Sequence, residues 1–307
     1  MDQASGLRNM VTSDTVLKRR TSMASSRNNT TPRVLAVTSG KGGVGKTNLV
    51  GNLAVALKQF GKRVIILDAD MGLANIDIIF NMRSDYNISH VINGEKKLEQ
   101  ILVTTKHGVQ IIPGGSGFAH LTNLTEGEKL NLLSEFEVLG ELADIVLIDT
   151  GAGISSNVLY FNSAADECIV IATREPTSIT DSYALMKVLS KNYGTKYFKL
   201  VVNMVQSEKD AKAVYSTLST AMERFLGNVV LEYFGFIPMD PVLPKAVVNH
   251  STVLDFDSNA PSSLAIVRLA RKIADSPCVS DTDGNIKFFM KRIFDSADKS
   301  DYDNNQG

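Results

Sequence analysis

The run Gly40-Lys41-Gly42-Gly43-Val44-Gly45-Lys46-Thr47 restricts this chain to a small set of folds. It fits G-x-x-x-x-G-K-[ST] and stands between a β-branched run, Val34 to Thr38, and the start of a helical pattern, which is the context a phosphate-cradling loop requires. Glycines at 42, 43 and 45 let the backbone close around phosphates, so that amide groups and the N-terminus of the following helix oppose their charge. In this pattern Lys46 reaches the β and γ phosphates of a nucleotide and the Thr47 hydroxyl ligates magnesium. A Gly-rich turn that matches by chance is the bland account of the run; the strand, the helix and the acidic residues downstream speak against it.

Short apolar runs recur along the chain at Val34 to Thr38, Arg63 to Asp68, Val109 to Ile112, Asp144 to Ile148, Cys168 to Thr173, Phe198 to Asn203 and Glu232 to Ile237, with helical segments between them. Strands apolar on both faces and alternating with helices predict a single α/β P-loop NTPase domain, a mostly parallel sheet covered by helices on both faces. Ligands of such sheets sit beyond the carboxyl ends of the strands. The Gly-rich loop, Asp68 and Asp70, Asp149 and Asn203 all fall at such ends. Asp149 closes the apolar run Ile145 to Ile148, where a Walker B aspartate holds magnesium, here through water.

The expected layout is a partner-binding motif and flexible tether over residues 1–32, the ATPase domain over 33–275, and a linker, short amphipathic helix and acidic tail over 276–307. With 32 basic against 33 acidic residues, no whole-molecule field draws the chain to DNA or membrane, so any such binding must be local. Cys168 and Cys278 form no CxxC pair, which argues against a zinc site or disulfide scaffold within the chain. The first thirty residues hold no apolar stretch long enough for a signal peptide, and the expectation is a cytoplasmic protein.

Lys41, the second lysine of the loop, resembles the deviant Walker A signature of the MinD/ParA family, and the resemblance continues through Leu67-Asp68-Ala69-Asp70-Met71-Gly72-Leu73-Ala74-Asn75-Ile76-Asp77. It implies an ATPase using ATP and Mg2+ that forms an ATP-dependent homodimer, with Lys41 of each subunit reaching the phosphates of the other. By the same resemblance Asp70 orients the attacking water, Asp68 and Asp149 act as switch residues, and Asn203 reads the adenine edge. Asn203-Met204-Val205-Gln206 lacks the guanine-reading pattern of translation and Ras-type GTPases, so adenine is favoured. The chain departs from MinD in Asp149-Thr150-Gly151-Ala152-Gly153 and in Arg174.

Within that family the terminal segments resemble the flagellar number regulators, the FlhG or FleN group. Asp2-Gln3-Ala4-Ser5-Gly6-Leu7-Arg8 looks like their Asp-Gln-Ala-x-x-Leu-Arg motif, which implies an FlhF-type GTPase as partner, engaged by Gln3, Leu7 and Arg8. Flagellar switch-complex components and a flagellar transcription activator are further partners that the resemblance implies. Toward the other end, Ile286, Phe289, Met290, Ile293 and Phe294 fall on one helical face with Lys287, Lys291 and Arg292 opposite, the pattern of an anchor for an anionic membrane surface or of a last helix docked on the sheet. The anchor reading places the protein peripherally on the inner face of the cell membrane when ATP-bound. DNA is not an expected partner, since the one marked basic cluster, Lys18-Arg19-Arg20, reads as a solvated linker. A MinD-like division-site ATPase, a ParA-like partitioning ATPase and a nucleotide-bound scaffold without turnover stand as alternatives.

Overall fold

In the computed structural model, which describes residues 32–70, 75–115, 117, 124–276 and 290–294, the first strand β1 (Arg33–Ser39) is buried along its whole length. Its continuous apolar run has a direct cause: parallel strands flank it on both sides, β5 (Ile145–Ala152) and β6 (Glu167–Ala172). Beyond β5 lie β2 (Val64–Ala69) and β4 (Gln110–Ile112), and beyond β6 lie β7 (Tyr197–Val205) and β8 (Val230–Pro238). A short strand β3 (Val103–Thr104), absent from the sequence reading, pairs antiparallel with β4 and completes the order β3-β4-β2-β5-β1-β6-β7-β8. It is too short to leave a periodic signal.

Alternation of side chains divides the core. Leu35 and Val37 of β1 face α1 (Lys46–Gln59), α11 (Val253–Phe256) and α12 (Pro261–Asp275), with α2 (Asn75–Phe80) and α10 (Val242–Val248) at the margin of the same layer. Val34 and Ala36 face the other layer, built from α3 (Ile88–Ile92), α4 (Leu98–Ile101), α5 (Glu126–Phe136), α6 (Leu139–Leu142) and α7 (Ser156–Ala164). That layer continues over β6 and β7 as α8 (Pro176–Tyr193) and α9 (Glu208–Leu226). The chain runs from β1 to one side of the sheet and later crosses from β5 over β1 to the other. The loop after β1 therefore sits where the strand order reverses, the usual ligand crevice of such sheets.

Residues 290–294 form a helical turn whose apolar side chains are occupied. Met290, Ile293 and Phe294 are buried in the cluster that holds Leu132 and Phe136 of α5 and Phe161 and Ala164 of α7. Arg292 pairs with Asp166 at 3.2 Å, and the Lys129 ammonium lies 5.9 Å from the centre of the Phe294 ring. Of the two readings of this face, the structure shows the docked one: the core supplies apolar surface of its own, and Met290, Ile293 and Phe294 pack on it. Ile286 and Phe289 lie outside the described residues, as do Gln3, Leu7 and Arg8.

At the end of the sheet away from the Gly-rich loop, Arg33 of β1 and Lys199 of β7 both donate to Glu167 of β6. Arg33 Nη1 also donates to the Ile273 carbonyl at 2.8 Å and to Ser276 Oγ at 2.9 Å, tying the end of α12 to the first strand. Burial would raise the Glu167 pKa, but the two cations hold the carboxyl below its ordinary range. Since Glu167 is the carboxylate that both buried cations share, Glu167→Ala is expected to cost about 3–5 kcal/mol of stability. Urea denaturation should show that loss, with nucleotide binding retained in the folded fraction.

Candidate functional site

β1 ends in a register shift against β5, after which the chain enters the Gly-rich loop. Gly45, at φ 87°, caps α1 without any side-chain hydrogen bond, so the first N–H groups of the helix open into a cavity of about 330 Å³. Gly42 to Asn48, Asp70, Ile78, Ile79 and Met204 are among the residues that line it. Gly40 does not line it and acts at the root of the loop. A Cβ there would stand 2.2 Å from the backbone carbon of Asp181, so the loop is pressed directly onto α8 and no other residue fits.

Charge is concentrated behind the cavity. Lys46, only 7 % exposed, donates from Nζ to Asp149 Oδ1 at 2.8 Å and lies 3.9 Å from Asp70 Oδ2. Asp68 stands in register with Asp149 on the neighbouring strand, and its Oδ1 accepts from the Asp70 N–H at 3.3 Å. Burial first, and then the Asp149 charge, push the Asp68 pKa up to about 8. Burial also raises that of Asp149, with Lys46 and Thr47 acting against it. Asp149 Oδ2 is buried and has no hydrogen-bond partner in the protein. A hydrated magnesium ion carried in with a nucleotide fits this arrangement, because it meets an orphaned carboxylate oxygen beside the Thr47 hydroxyl and adds cationic charge where carboxylates gather.

Lys41 takes a different direction from Lys46. Its Nζ donates to Thr177 Oγ1 at 2.9 Å and pairs with Glu175, both at the start of α8, and its side chain is 37 % exposed. Like Gly40, it lies outside the cavity that Gly42 to Thr47 line. Asn203 closes the other flank: Nδ2 donates to the Val44 carbonyl at 2.7 Å while Oδ1 accepts from the Met204 N–H at 2.9 Å. It thus braces the loop, and it also lines an apolar hollow of about 470 Å³ adjoining the phosphate cavity.

That hollow was not legible in the sequence. Its walls come from Leu49 of α1, the stretch Ile237 to Pro241, Leu243 and Pro244 of α10, and Ile266 of α12. Asp240 holds them in place, accepting from the Val242 N–H at 2.9 Å and from the Ser262 N–H and hydroxyl at 3.0 and 2.6 Å. Burial opposes ionisation of Asp240, and these donors overcome it, leaving its pKa lowered. The one available sequence signal was the Pro238-Met239-Asp240-Pro241 turn directly after a strand.

A phosphate loop at a strand-order reversal, a buried lysine among strand-end carboxylates and an adjoining apolar hollow define a P-loop nucleotide-binding protein. Residues 35–253 match the CobQ/CobB/MinD/ParA nucleotide binding domain, and the chain belongs to that family. It is 37% identical over 261 residues to the antiactivator FleN of Pseudomonas aeruginosa, spanning 85% of this chain and 93% of that protein. It is 33% identical over 295 residues to the flagellum site-determining protein YlxH of Helicobacter pylori, spanning 95% of this chain and 98% of that one. Among solved structures, the MinC:MinD cell division protein complex of Aquifex aeolicus aligns with a TM-score of 0.62 at 26% identity, over 80% of this chain and 96% of that chain.

The Asp68 carboxyl gives the site a measurable pH signature. Its pKa is about 8 in the fold against the ordinary 3.8, so the folded protein holds more protons than the unfolded chain between those values. Its contribution to stability therefore falls as pH rises through that window and levels off above it. Asp68→Asn removes the dependence. In nucleotide-free protein with chelator present, the gain in Tm of the variant over the parent should be larger at about pH 8 than at about pH 5.5; a gain that does not grow with pH contradicts the assignment.

Proposed function

We propose that this chain is an ATPase whose ATP-bound form is a face-to-face homodimer, and that it regulates the number and placement of flagella from the inner surface of the membrane. The observation that carries the reading is the position of Lys41. It belongs to the phosphate loop yet points out of its own cavity to an exposed rim, where Glu175 and Thr177 hold it. From that rim a lysine can serve a facing subunit. If each subunit lends Lys41 to the other, the charge of the phosphates is fully offset only in the dimer, and ATP binding is linked to dimerisation.

In this reading Lys46 leaves Asp149 for the β and γ phosphates. Thr47 and Asp149 hold magnesium, Asp149 through water, and Asp70 at the cavity wall orients the attacking water. Magnesium–ATP supplies the phosphoryl group and the Lewis acid. Adenine occupies the apolar hollow beside Asn203. Asp68, held protonated below about pH 8, relays the change at Asp149 to the segment that leads into α2.

The docked helix at 290–294 supplies the membrane part of the proposal. Undocking Met290, Ile293 and Phe294 into water costs roughly 5–9 kcal/mol at 1.5–3 kcal/mol per side chain. Insertion of the same face into a bilayer restores most of that, so docked and lipid-bound forms lie close in free energy. A dimer presents two such helices, and the second insertion is intramolecular. Among the described residues no helix is long and apolar enough to cross a membrane, which leaves a peripheral attachment as the form that membrane binding takes. The likeness to FleN and YlxH supports the flagellar assignment. The segment with Gln3, Leu7 and Arg8 is assigned to an FlhF-type GTPase, and flagellar switch-complex components and a transcription activator are the further partners.

Light scattering with ATP, combined with sedimentation on anionic vesicles, tests the proposal. Asp70→Ala is expected to accumulate as a dimer that sediments with vesicles, Lys41→Ala to bind ATP but stay monomeric and in solution, and a chain truncated after Asn285 to dimerise without sedimenting. A monomeric Asp70→Ala protein, or equal sedimentation of truncated and full-length chains, overturns the corresponding half.

A further inference from the structure

Among the described residues, three that are not glycine stand on left-handed backbone: Asn81 at φ 49°, Met204 at φ 57° and His250 at φ 48°. Met204 lines both the phosphate cavity and the apolar hollow. Asn81 directly follows α2, and His250 lies two residues beyond α10. These two helices end in the same way. The Asn81 N–H donates to the Ile78 carbonyl at 3.3 Å and that of Met82 to the Asp77 carbonyl at 3.0 Å; the His250 N–H donates to Val247 and that of Ser251 to Ala246, each at 3.0 Å. Paired bonds of this kind put Asn81 and His250 at the left-handed position of a helix cap, where glycine is the common residue. An imidazole there carries a steric cost that glycine avoids.

The ring has a partner that accounts for its presence. His250 Nδ1 lies 3.1 Å from the Ile78 carbonyl oxygen, in the last turn of α2. A carbonyl only accepts, so Nδ1 is the donor and the neutral ring is the Nδ1–H tautomer. This one bond joins two walls of the cleft. α2 brings Ile78 and Ile79 to the phosphate cavity, while α10 brings Val247 to that cavity and Leu243 and Pro244 to the apolar hollow. His250 itself lines neither.

We propose that His250 is a positioning residue of the nucleotide site, a clasp between α10 and α2 that holds the walls beside the phosphates and the base in one arrangement before a ligand arrives. A cleft organised in advance binds more tightly, because less of the interaction free energy goes into ordering it. The inference rests on the ATP reading above and adds to it the residue that keeps the empty cleft in shape.

Two substitutions separate the bond from the residue. Asn Nδ2 is attached to Cγ, as His Nδ1 is, and asparagine tolerates left-handed backbone, so His250→Asn keeps both donor and conformation. His250→Gly removes the donor but relieves the backbone, so a merely structural role predicts a variant at least as good as the parent. In calorimetric titration of the full chain with magnesium–ATP, the parent and His250→Asn are expected to bind alike. His250→Gly is expected to bind about three- to tenfold more weakly, the effect of one lost hydrogen bond, with Tm close to that of the parent. Without nucleotide, peptides covering 75–82 should exchange hydrogen faster in His250→Gly than in the other two. A glycine variant that matches the parent in affinity overturns the proposal, and so does an asparagine variant that loses as much as glycine. Nitrogen-15 spectra of the parent with the ring neutral need no substitution: they should show His250 protonated at Nδ1, and protonation at Nε2 overturns the clasp even if a variant fails to fold. A parent that binds no ATP overturns the ATP reading itself, an outcome distinct from the others.

Discussion

The ion pair between Lys46 and Asp149 is the interaction on which the rest of the site depends. Both side chains are almost fully buried, and the pair holds at 2.8 Å. A lysine can be kept there only because β1 and β5 are adjacent, parallel and in register, which brings the start of α1 over the end of β5. The same adjacency places Asp68 of β2 beside Asp149, so that burial and like charge together keep Asp68 protonated over most of the ordinary pH range. Any anion that draws Lys46 away leaves Asp149 without its main counter-charge, and a cation must then take that role. Phosphate at Lys46 and a cation or proton at Asp149 are thus linked by the electrostatics of these strand ends.

Two helices start close to this point. α7 starts just beyond the strand that carries Asp149, and α8 starts directly after its N-cap residue Glu175, the partner of Lys41. The ring of Tyr160, midway along α7, meets that of Tyr193, at the far end of α8, edge-on with centroids 6.3 Å apart. Tyr160 belongs to the cluster in which Met290, Ile293 and Phe294 are buried, and Tyr193 packs against that cluster. With Gly40 pressed onto the Asp181–Ser182 backbone, the loop cannot shift without meeting α8. These contacts support a physical connection between occupancy of the loop and the groove that holds the C-terminal turn, of the kind that requires an element with two arrangements.

How much of this was legible in the sequence follows from the range of each signal. The loop from Gly40 to Thr47 and the strand-end carboxylates are local patterns, and the structure places Lys46, Thr47, Asp70 and Asn203 around one cleft with Asp149 directly behind it. The apolar hollow is assembled from four segments far apart in the chain, so no window of sequence contains it. For Met290, Ile293 and Phe294 the period correctly identifies an apolar face, but periodicity does not say what the face meets. Here the core is available and covers it.

The claim that loop occupancy governs the docked turn is tested most directly by hydrogen–deuterium exchange on the full-length chain, with ATP against ADP, in samples whose dimer content is measured in parallel. Peptides covering 290–294 should exchange markedly faster with ATP than with ADP, while the first turn of α8 around Thr177 becomes more protected as it enters the dimer face. Equal protection of 290–294 in the two nucleotides, in a sample that is dimeric with ATP, would contradict the connection and leave this turn a permanent part of the core.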